Sequence, residues 1–586
     1  MNLSKKIIPL IAAALWSSTS IAQNTILEKE GRGGSLKIEK LAGDYVNVRI
    51  PASVQSKYLL IPVEEKAWDS QLSLIADNQL VRTINVRIAQ RKIDYYVPVL
   101  LDEFRGKNLV IYTHLNYDKS NHGGVGSEPR VKDFVLSDTY DVKNREQFRP
   151  EFHHTPTYGW MNDPNGMFYL DGTWHLFYQY NPYGSMWGNM NWAHATSTDL
   201  INWEQQGVAI APDAHGTIFS GSCVVDKEGT AGFGKNAIVA MYTSCIQTPH
   251  GHDLQEQCLA YSTDGGKSFT KYNGNPVLTN DIADFRDPNP FWNEDTKAWN
   301  LILSHGQDMM IYSSPNLKDW KHESAFGAGL GAHSGVWECP DLFKLKVEGS
   351  KKNEEKWVLI CNINPGGPMG GSATQYFIGD FDGHKFTVDD EARYTDGNSL
   401  WQDYGKDHYA TVSFYNAPEG RHTMMAWMSN WEYANDVPTM QYRSANSIAR
   451  EPFLYYGIDK KLYLGSRPSP EYTGKGLDKE VKLKGSCKVI LSNDEGEEYV
   501  LTYDQKAMTL SADRSKSGQT DFNQNFRGNS QNNGGPIVAP LHKKLTSLRI
   551  FIDRSSVEVF GNNGEVAITN LVFPKSKYNK VKVAPF

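Results

Sequence analysis

Short stretches in which apolar residues alternate with polar ones, or run on without a break, recur along this chain, with Gly, Pro and Asp between them. In the first quarter they fall at 45–50, 58–63, 80–89, 93–101 and 108–114. That is the period-two pattern of strands bounded by turns. It predicts a β-sandwich-like accessory domain over residues 23–145, with no chemistry of its own. Residues 460–586 repeat the pattern at 489–492, 499–503, 548–553, 557–560 and 565–569, and predict a second β-sandwich. The Asn- and Gln-rich stretch 522–533 reads as a long loop.

Between them, over 146–455, the pattern repeats internally. Ala193-His-Ala-Thr-Ser-Thr-Asp-Leu-Ile-Asn-Trp203, Ala260-Tyr-Ser-Thr-Asp-Gly-Gly-Lys-Ser-Phe269 and Ile311-Tyr-Ser-Ser-Pro-Asn-Leu-Lys-Asp-Trp320 echo one another, and Phe377 to Phe386 is a weaker copy. Each is a short strand, a Ser/Asp turn and an aromatic. Hairpin-like pairs lie between the copies, one of them turning at Asp171-Gly172. Five units of roughly fifty to seventy residues result. A five-bladed β-propeller is the economical architecture, because radial repetition leaves few sheet edges exposed.

The N-terminus changes the picture of the compartment. Lys5 and Lys6 precede an apolar run from Ile7 to Trp16, and Ser20-Ile21-Ala22 supplies small residues before Gln23. This predicts a secretory signal peptide over residues 1–22. The run is too short to span a bilayer, and no later stretch is long enough. Export leads to the periplasm or beyond it.

Composition narrows the partners. Over 586 residues, 60 basic and 67 acidic side chains leave a net charge of −7 with no long single-sign run, which argues against nucleic acid. Aromatic residues make up 12%, with 15 Trp and 30 Tyr, a density that suits strands and sugar-binding clefts alike. Six scattered Cys form neither a disulfide framework nor a CxxC zinc pattern, although one Cys245–Cys258 bridge would be permitted. His153-His154 looks like a metal pair, but neighbours on a strand point to opposite faces, so packing and hydrogen bonding are expected instead.

The candidate chemistry lies where each propeller unit opens. The openings are Trp160-Met161-Asn162-Asp163-Pro164, Phe219-Ser220-Gly221-Ser222, Phe285-Arg286-Asp287-Pro288, Trp337-Glu338-Cys339-Pro340, and a fifth near Trp401-Gln402-Asp403-Tyr404 that runs into His408-Tyr409-Ala410. In a propeller that register is the mouth of the central channel. Asp163, Asp287 and Glu338 should therefore converge on one axial pocket. Proline after two of the acids holds them extended. One such acid alone reads equally well as a turn cap. Three in matched register beside Trp suit glycosidic cleavage, in which one carboxylate attacks, a second donates a proton and nearby groups stabilise an oxocarbenium-like state. Arg286 can keep its neighbour Asp287 ionised. Ser220 has no His/Asp partner pattern that would make it a nucleophile.

These runs resemble the signature motifs of glycoside hydrolase family 32, the invertases, levanases, inulinases and other β-fructofuranosidases. Trp160–Gly166, Arg286-Asp287-Pro288 and Glu338-Cys339-Pro340 carry the likeness. Phe177–Pro182, Met186–Trp192, Phe219–Ser222 and Ile552–Phe560 support it over about 146–586. The resemblance implies a five-bladed catalytic propeller followed by a β-sandwich. It implies a retaining mechanism with Asp163 as nucleophile, Glu338 as general acid/base and Asp287 as transition-state stabiliser. It places Asn162, Gln179, Trp187, Phe219, Ser220 and Arg286 at a terminal-fructosyl subsite, with Tyr404 and Trp427 as further lining residues. It implies no cofactor and no metal. Two departures stand out: the family's frequent Trp-Gly-His is Trp192-Ala193-His194 here, and the N-terminal 120 residues lie outside the usual two-domain pattern, with glycan binding and shaping of the cleft as the open roles.

The expected activity is hydrolysis of β-fructofuranosidic bonds in levan or inulin, and in sucrose, by exo action releasing fructose. An endo-levanase, a fructosyl transferase using the same residues, and a non-catalytic fructan-binding protein are the alternatives. An arabinan-cleaving propeller is disfavoured by the first motif, and mere binding would not need an acid/base Glu. The partner is a β-fructan or fructo-oligosaccharide, with no obligate protein partner.

Overall fold

The computed structural model describes residues 26–41, 44–115, 129–141, 146–248 and 251–585. The leader expected over 1–22 lies outside them. Among the described residues, strands and short 3-10 turns are the regular elements, and no helix is long and apolar enough to cross a membrane.

The chain divides into two compact units. The first takes Met1–Asn144 together with Asn181–Asn189 and Pro212–Ala214. It has a six-stranded sheet in the order Ile26–Gly31, Gly34–Lys40, Tyr45–Ile50, Leu109–His114, Ser70–Ala76 and Gln79–Val86. A three-stranded sheet, Tyr95–Leu100, Tyr58–Val63 and Val135–Ser137, shares one core with it. Inward positions alternate along the strands: Leu36 and Ile38, Val46 and Val48, Leu72 and Leu74 are all buried.

The second unit holds a five-bladed propeller and a C-terminal β-sandwich. The blades open with Gly159–Leu170, Thr217–Asp226, Phe285–Asn293, Val336–Lys346 and Tyr409–Ser413, and each blade is an antiparallel sheet. Tyr442–Arg443 adds to the first blade's opening strand in parallel. The sequence echoes are the turns between the third and fourth strands of the first three blades. In each, a Ser hydroxyl accepts the N–H two residues on: Ser197 from Asp199 (3.1 Å), Ser262 from Asp264 (3.4 Å) and Ser314 from Asn316 (3.1 Å). Such local side-chain bonds shape the backbone into a turn. The terminal aromatics anchor them: the indole N–H groups of Trp203 and Trp320 donate to the carbonyls of Leu200 and Leu317, both at 3.1 Å.

The fifth blade starts later than the sequence suggests. Leu400–Trp401 pairs with Ala373–Phe381 as an outer strand of the fourth blade. The inner strand of blade five begins at Tyr409.

In the sandwich, Asp478–Lys482, Ser547–Ile552, Ser556–Gly561 and Val566–Leu571 form one sheet. Ile537–Pro540, Thr509–Lys516, Glu498–Asp504, Cys487–Ser492 and Lys580–Pro585 form the other. A buried polar network ties it to the propeller. His153 bridges Asp553 Oδ2 and Glu558 Oε1, both at 2.8 Å, and Arg450 joins Glu558 to Asp403. His154 instead meets Asn446 Oδ1 at 2.7 Å. All six cysteines are free and buried. Cys245 and Cys258 sit on paired strands three positions out of step, opposite Gln255 and Tyr242, so no bridge joins them.

Candidate active site

Four of the five inner strands carry the same irregularity. Two residues on the inner strand oppose one on its neighbour, between Ile218 and Gly221, Arg286 and Asn289, Glu338 and Asp341, and Tyr409 and Val412. A bulge of this kind re-aims the side chains beside it. In the last three strands the first bulged residue has a left-handed backbone: Asp287 (φ 65°), Cys339 (φ 43°) and Ala410 (φ 53°), so Pro288 does not hold Asp287 extended as the sequence suggests, because the bulge sets its backbone. A non-glycine residue holds this conformation only where its surroundings enforce it.

The residues just before the bulges form a row. Arg286, Glu338 and Tyr409 occupy the same position in blades three, four and five, and they are bonded to one another. Arg286 donates to Glu338 Oε1 through Nη2 (2.8 Å) and Nε (3.2 Å), and the Tyr409 hydroxyl donates to Glu338 Oε2. Arg286 also pairs with Asp284 and reaches Gln255 Oε1 at 3.4 Å.

The bulge residues form a second row beside it. Asp287 Oδ2 accepts the Cys339 N–H (2.9 Å) and thiol (3.6 Å), with Arg286 Nε at 3.9 Å. The Asp287 N–H is held by Thr243 Oγ1 at 3.0 Å. The Cys339 thiol lies 3.5 Å from Asp163 Oδ2, so one sulfur touches two of the three acids. Asp163 further accepts from Ser220 Oγ (2.6 Å) and Asn162 Nδ2 (3.0 Å). Trp160 Nε1 donates to Asn162 Oδ1 at 2.8 Å, which orients that amide.

Burial and crowding set the electrostatics. Burial, with Glu338 nearby, pushes the Asp163 carboxyl above the usual range, against the bonds from Ser220 and Asn162. Burial pushes Asp287 up to about 7; Arg286 opposes this, and the charges of Glu338 and Asp163 add to it. Crowding of like charges thus works in the same direction as burial on both Asp163 and Asp287.

The other candidates divide. Gln179 is buried and donates to Asn165 Oδ1 at 2.8 Å, two residues from Asp163. Phe219 packs against the blade-one core and accepts the Trp192 indole N–H on its carbonyl at 3.0 Å. Trp427 is fully buried among Trp160 (6.0 Å between ring centres), Trp431 (4.7 Å) and Tyr409 (6.4 Å). Trp187 lies in the Asn181–Asn189 segment of the first unit, 42% exposed. Tyr404 does not join the acids. It packs against the sandwich core, and its N–H donates to the Ala567 carbonyl at 3.0 Å. Tyr409 is the tyrosine that reaches them. Its signal was present: His408-Tyr409-Ala410 stands in register with Trp337-Glu338-Cys339. The Cys339 thiol, Thr243 and Trp431 carried no signal of their own.

The comparisons fit this geometry. Residues 153–464 match the family model described as the N-terminal domain of glycosyl hydrolases family 32, and 469–586 match its C-terminal counterpart. Residues 44–152 match a domain of unknown function. The levanase of Bacillus subtilis strain 168 is 44% identical over 468 residues, 73% of this chain and 67% of that one. An extracellular exo-inulinase of Aspergillus awamori is 38% identical over 75% of this chain and 92% of that one. Among solved structures, the A. awamori exo-inulinase superposes with a TM-score of 0.67 at 35% identity, covering 76% and 96% of the two chains. A fructofuranosidase of Schwanniomyces occidentalis complexed with fructosylnystose gives 0.65 at 33%, covering 75% and 95%. The chain thus belongs to glycoside hydrolase family 32 and is a glycoside hydrolase of the β-fructofuranosidase type.

Proposed function

We propose that the protein is an exported exo-acting β-fructanase that removes fructose from levan or inulin, and that it also cleaves sucrose. The observation that carries the reading is the connected cluster of three carboxyls at the inner strands, joined by Arg286 and the Cys339 thiol. Asp163 is the nucleophile. Its oxygens are oriented by Ser220 and Asn162, and one forms a bond to the anomeric carbon as the glycosidic bond breaks. Glu338, fixed by Arg286 and Tyr409, gives its proton to the departing oxygen. In the second half it takes a proton from water as that water displaces Asp163, so the sugar leaves with retained configuration. Asp287 accepts hydrogen bonds from fructosyl hydroxyls and stabilises the oxocarbenium-like state. Asn162, Gln179, Trp187, Phe219, Ser220 and Arg286 make up the terminal-fructosyl subsite, while Trp427, fully buried, packs behind it against Trp160 and Tyr409.

Exo action is favoured because relatives at 38% identity are named exo-inulinases. Export is favoured by the leader-like N-terminus and by the extracellular naming of the same relatives.

A product time course tests the reading. Purified protein is incubated separately with levan, inulin and sucrose, beside an Asp163→Ala control. Free fructose from the earliest points, absent from the control, is expected. A ladder of fructo-oligosaccharides would make the enzyme endo-acting, and fructosylated sugars would make it a transferase. Absence of product from all three substrates would overturn the assignment.

A further inference from the structure

A cavity of about 440 Å³ opens between the hairpin turn at Asp171-Gly172 in blade one and the turn at Asp264-Gly265 in blade two. Cavities of this order suit small molecules. Every residue lining it belongs to the second unit. It is separate from the acids: His175, on its wall, is four residues from Gln179 along one strand, about 13 Å at the rise of a strand.

Two histidines form its floor. His175 and His194 lie on the paired strands Thr173–Asn181 and Asn191–Ser197, His175 opposite Thr196 and His194 opposite Phe177. They are only 6% and 4% exposed. Phe168 stacks on His175 (4.3 Å between ring centres, 11° between planes) and Phe177 stacks on His194 (4.2 Å, 7°). Gly266 backs the stack: a Cβ there would come within 2.9 Å of the Phe168 ring and 3.3 Å of His175 Nδ1. The two imidazoles are therefore fixed before any ligand arrives, and binding carries no cost of ordering them.

The proton count decides what they can hold. His175 Nδ1 and His194 Nε2 share one hydrogen bond at 3.1 Å, while His175 Nε2 and His194 Nδ1 are bonded to nothing among the described residues. Burial pushes both rings below the usual imidazole value, to about 4 at His175 and about 3 at His194, so both are neutral near pH 7. A neutral imidazole has one N–H and one bare nitrogen. Whichever ring donates in the shared bond, the two outward nitrogens are one donor and one acceptor; exchanging both tautomers swaps their roles and keeps the pairing. A metal ion needs two acceptors and an anion needs two donors, so neither fits. Two hydroxyls on adjacent carbons, each able to donate and to accept, fit in both tautomers. At the rim, Asp264 is bonded within its own turn, which leaves Asp171 and Lys267 with opposite signs and no net preference for an ion.

We propose that this cavity is a second glycan site, which holds a fructosyl unit of the fructan chain by a pair of adjacent ring hydroxyls. Such a pair stays free whether the chain is levan or inulin. The identity of the glycan rests on the proposed fructanase activity.

The test uses the full chain. Native electrophoresis through gels containing levan or inulin reads glycan binding, with Asp163→Ala in the background so that the polymer is not consumed. His175→Phe keeps a stacking ring and removes the nitrogen pair. Thr173→Phe fills the cavity from a half-buried strand position, where aromatic residues are well accommodated. Each should weaken the affinity read from retardation roughly tenfold, the worth of one or two hydrogen bonds. Hydrogen exchange with an added fructo-oligosaccharide should show protection in the peptides spanning 171–176 and 192–197. On the active chain the same two substitutions should leave kcat and KM for sucrose within about twofold. Retardation unchanged in both variants, or no protection in those peptides, would overturn the second site. Loss of sucrose turnover in both would also overturn it, by making the cavity a part of the fold. If the parent cleaves none of levan, inulin and sucrose, the fructanase reading falls by itself, and weaker retardation in both variants would still establish the glycan site.

Discussion

Each carboxyl of the cluster is placed by a different neighbour. Ser220 and Asn162 aim Asp163, the Cys339 N–H fixes Asp287, and Arg286 with Tyr409 holds Glu338 from two sides. The Arg286 contact is a charge-assisted hydrogen bond, the stronger kind, and Tyr409 adds a second donor from the other side. Tyr409 is buried, so its hydroxyl has no water to replace Glu338. Tyr409→Phe therefore leaves the ring packing intact and frees one side of Glu338, the proposed acid/base. The expected result is a fall in kcat of roughly ten- to a hundredfold, the worth of one hydrogen bond to a charged group. KM should stay within about threefold, because the lost interaction acts on proton transfer and not on sugar binding. Steady-state kinetics on sucrose would show it; a raised KM at constant kcat would make Tyr409 a binding residue instead. Asp163, Asp287 and Glu338 were legible from Asp-Pro and Glu-Cys-Pro in matching positions. The signal of Tyr409 was masked, because Trp401-Gln-Asp-Tyr404 imitates the same aromatic-and-acid opening seven residues early. A period of two tells which face a residue takes; it does not tell which sheet its strand joins.

At the level of the element, the inner-strand bulge is what makes the site. It places Arg286, Glu338 and Tyr409 in one bonded row and sets Asp287 and Cys339 in another, using backbone that only the surrounding sheet can hold in the left-handed region. The demand is sharpest at Ala410, which is fully buried, has φ 53° and lacks the polar side chain that eases such a conformation. Ala410→Val adds a branched side chain to a packed position with forbidden geometry. It should cost about 2 kcal/mol or more, and it should lower kcat by disturbing Tyr409. Ala410→Gly relieves the backbone and should stay within about 1 kcal/mol of the parent. Denaturant unfolding of the two variants would check the order; equal stability would mean the bulge carries no strain. The repeats made the blades visible in the sequence because each Ser/Asp turn is built from side chains close along the chain. The bulges were invisible, since two residues opposing one depends on the partner strand. The N-terminal strands Gly34–Lys40 and Ser70–Ala76 were also missed, as each alternates too briefly to rise above its polar neighbours.

At the scale of the molecule, the motif Ile552–Phe560 is legible as a family signature, but its physical purpose is not, because its partners lie up to four hundred residues away along the chain. Asp553 and Glu558 close on His153, and Glu558 also meets Arg450, all of them buried where sandwich and propeller join. Burial alone would push the His153 imidazole down. The bonds to both carboxylates outweigh it and carry its pKa from 6.5 up to about 9. Asp553, which burial would raise, is drawn down to about 2 mainly by the same histidine. The sign of the linkage follows. His153 binds its proton more tightly folded than unfolded, so its contribution is complete below 6.5 and disappears as the pH rises to about 9. Asp553 behaves oppositely: its contribution is present above its unfolded value of 3.8 and is lost as the pH falls to about 2. Together they favour mildly acidic conditions, with stability declining from pH 6.5 to 9. His153→Asn removes the cation and leaves Asp553 buried without a cationic partner, while Glu558 keeps Arg450. Breaking a buried pair in this way costs about 3–5 kcal/mol. The melting temperature of the variant should therefore fall well below the parent's at pH 6, and the gap should shrink by pH 9, where the parent has also lost the charge. A gap that stays constant between pH 6 and pH 9 would show that His153 holds the sandwich to the propeller as a neutral hydrogen-bonding ring, and that the protonated bridge contributes nothing.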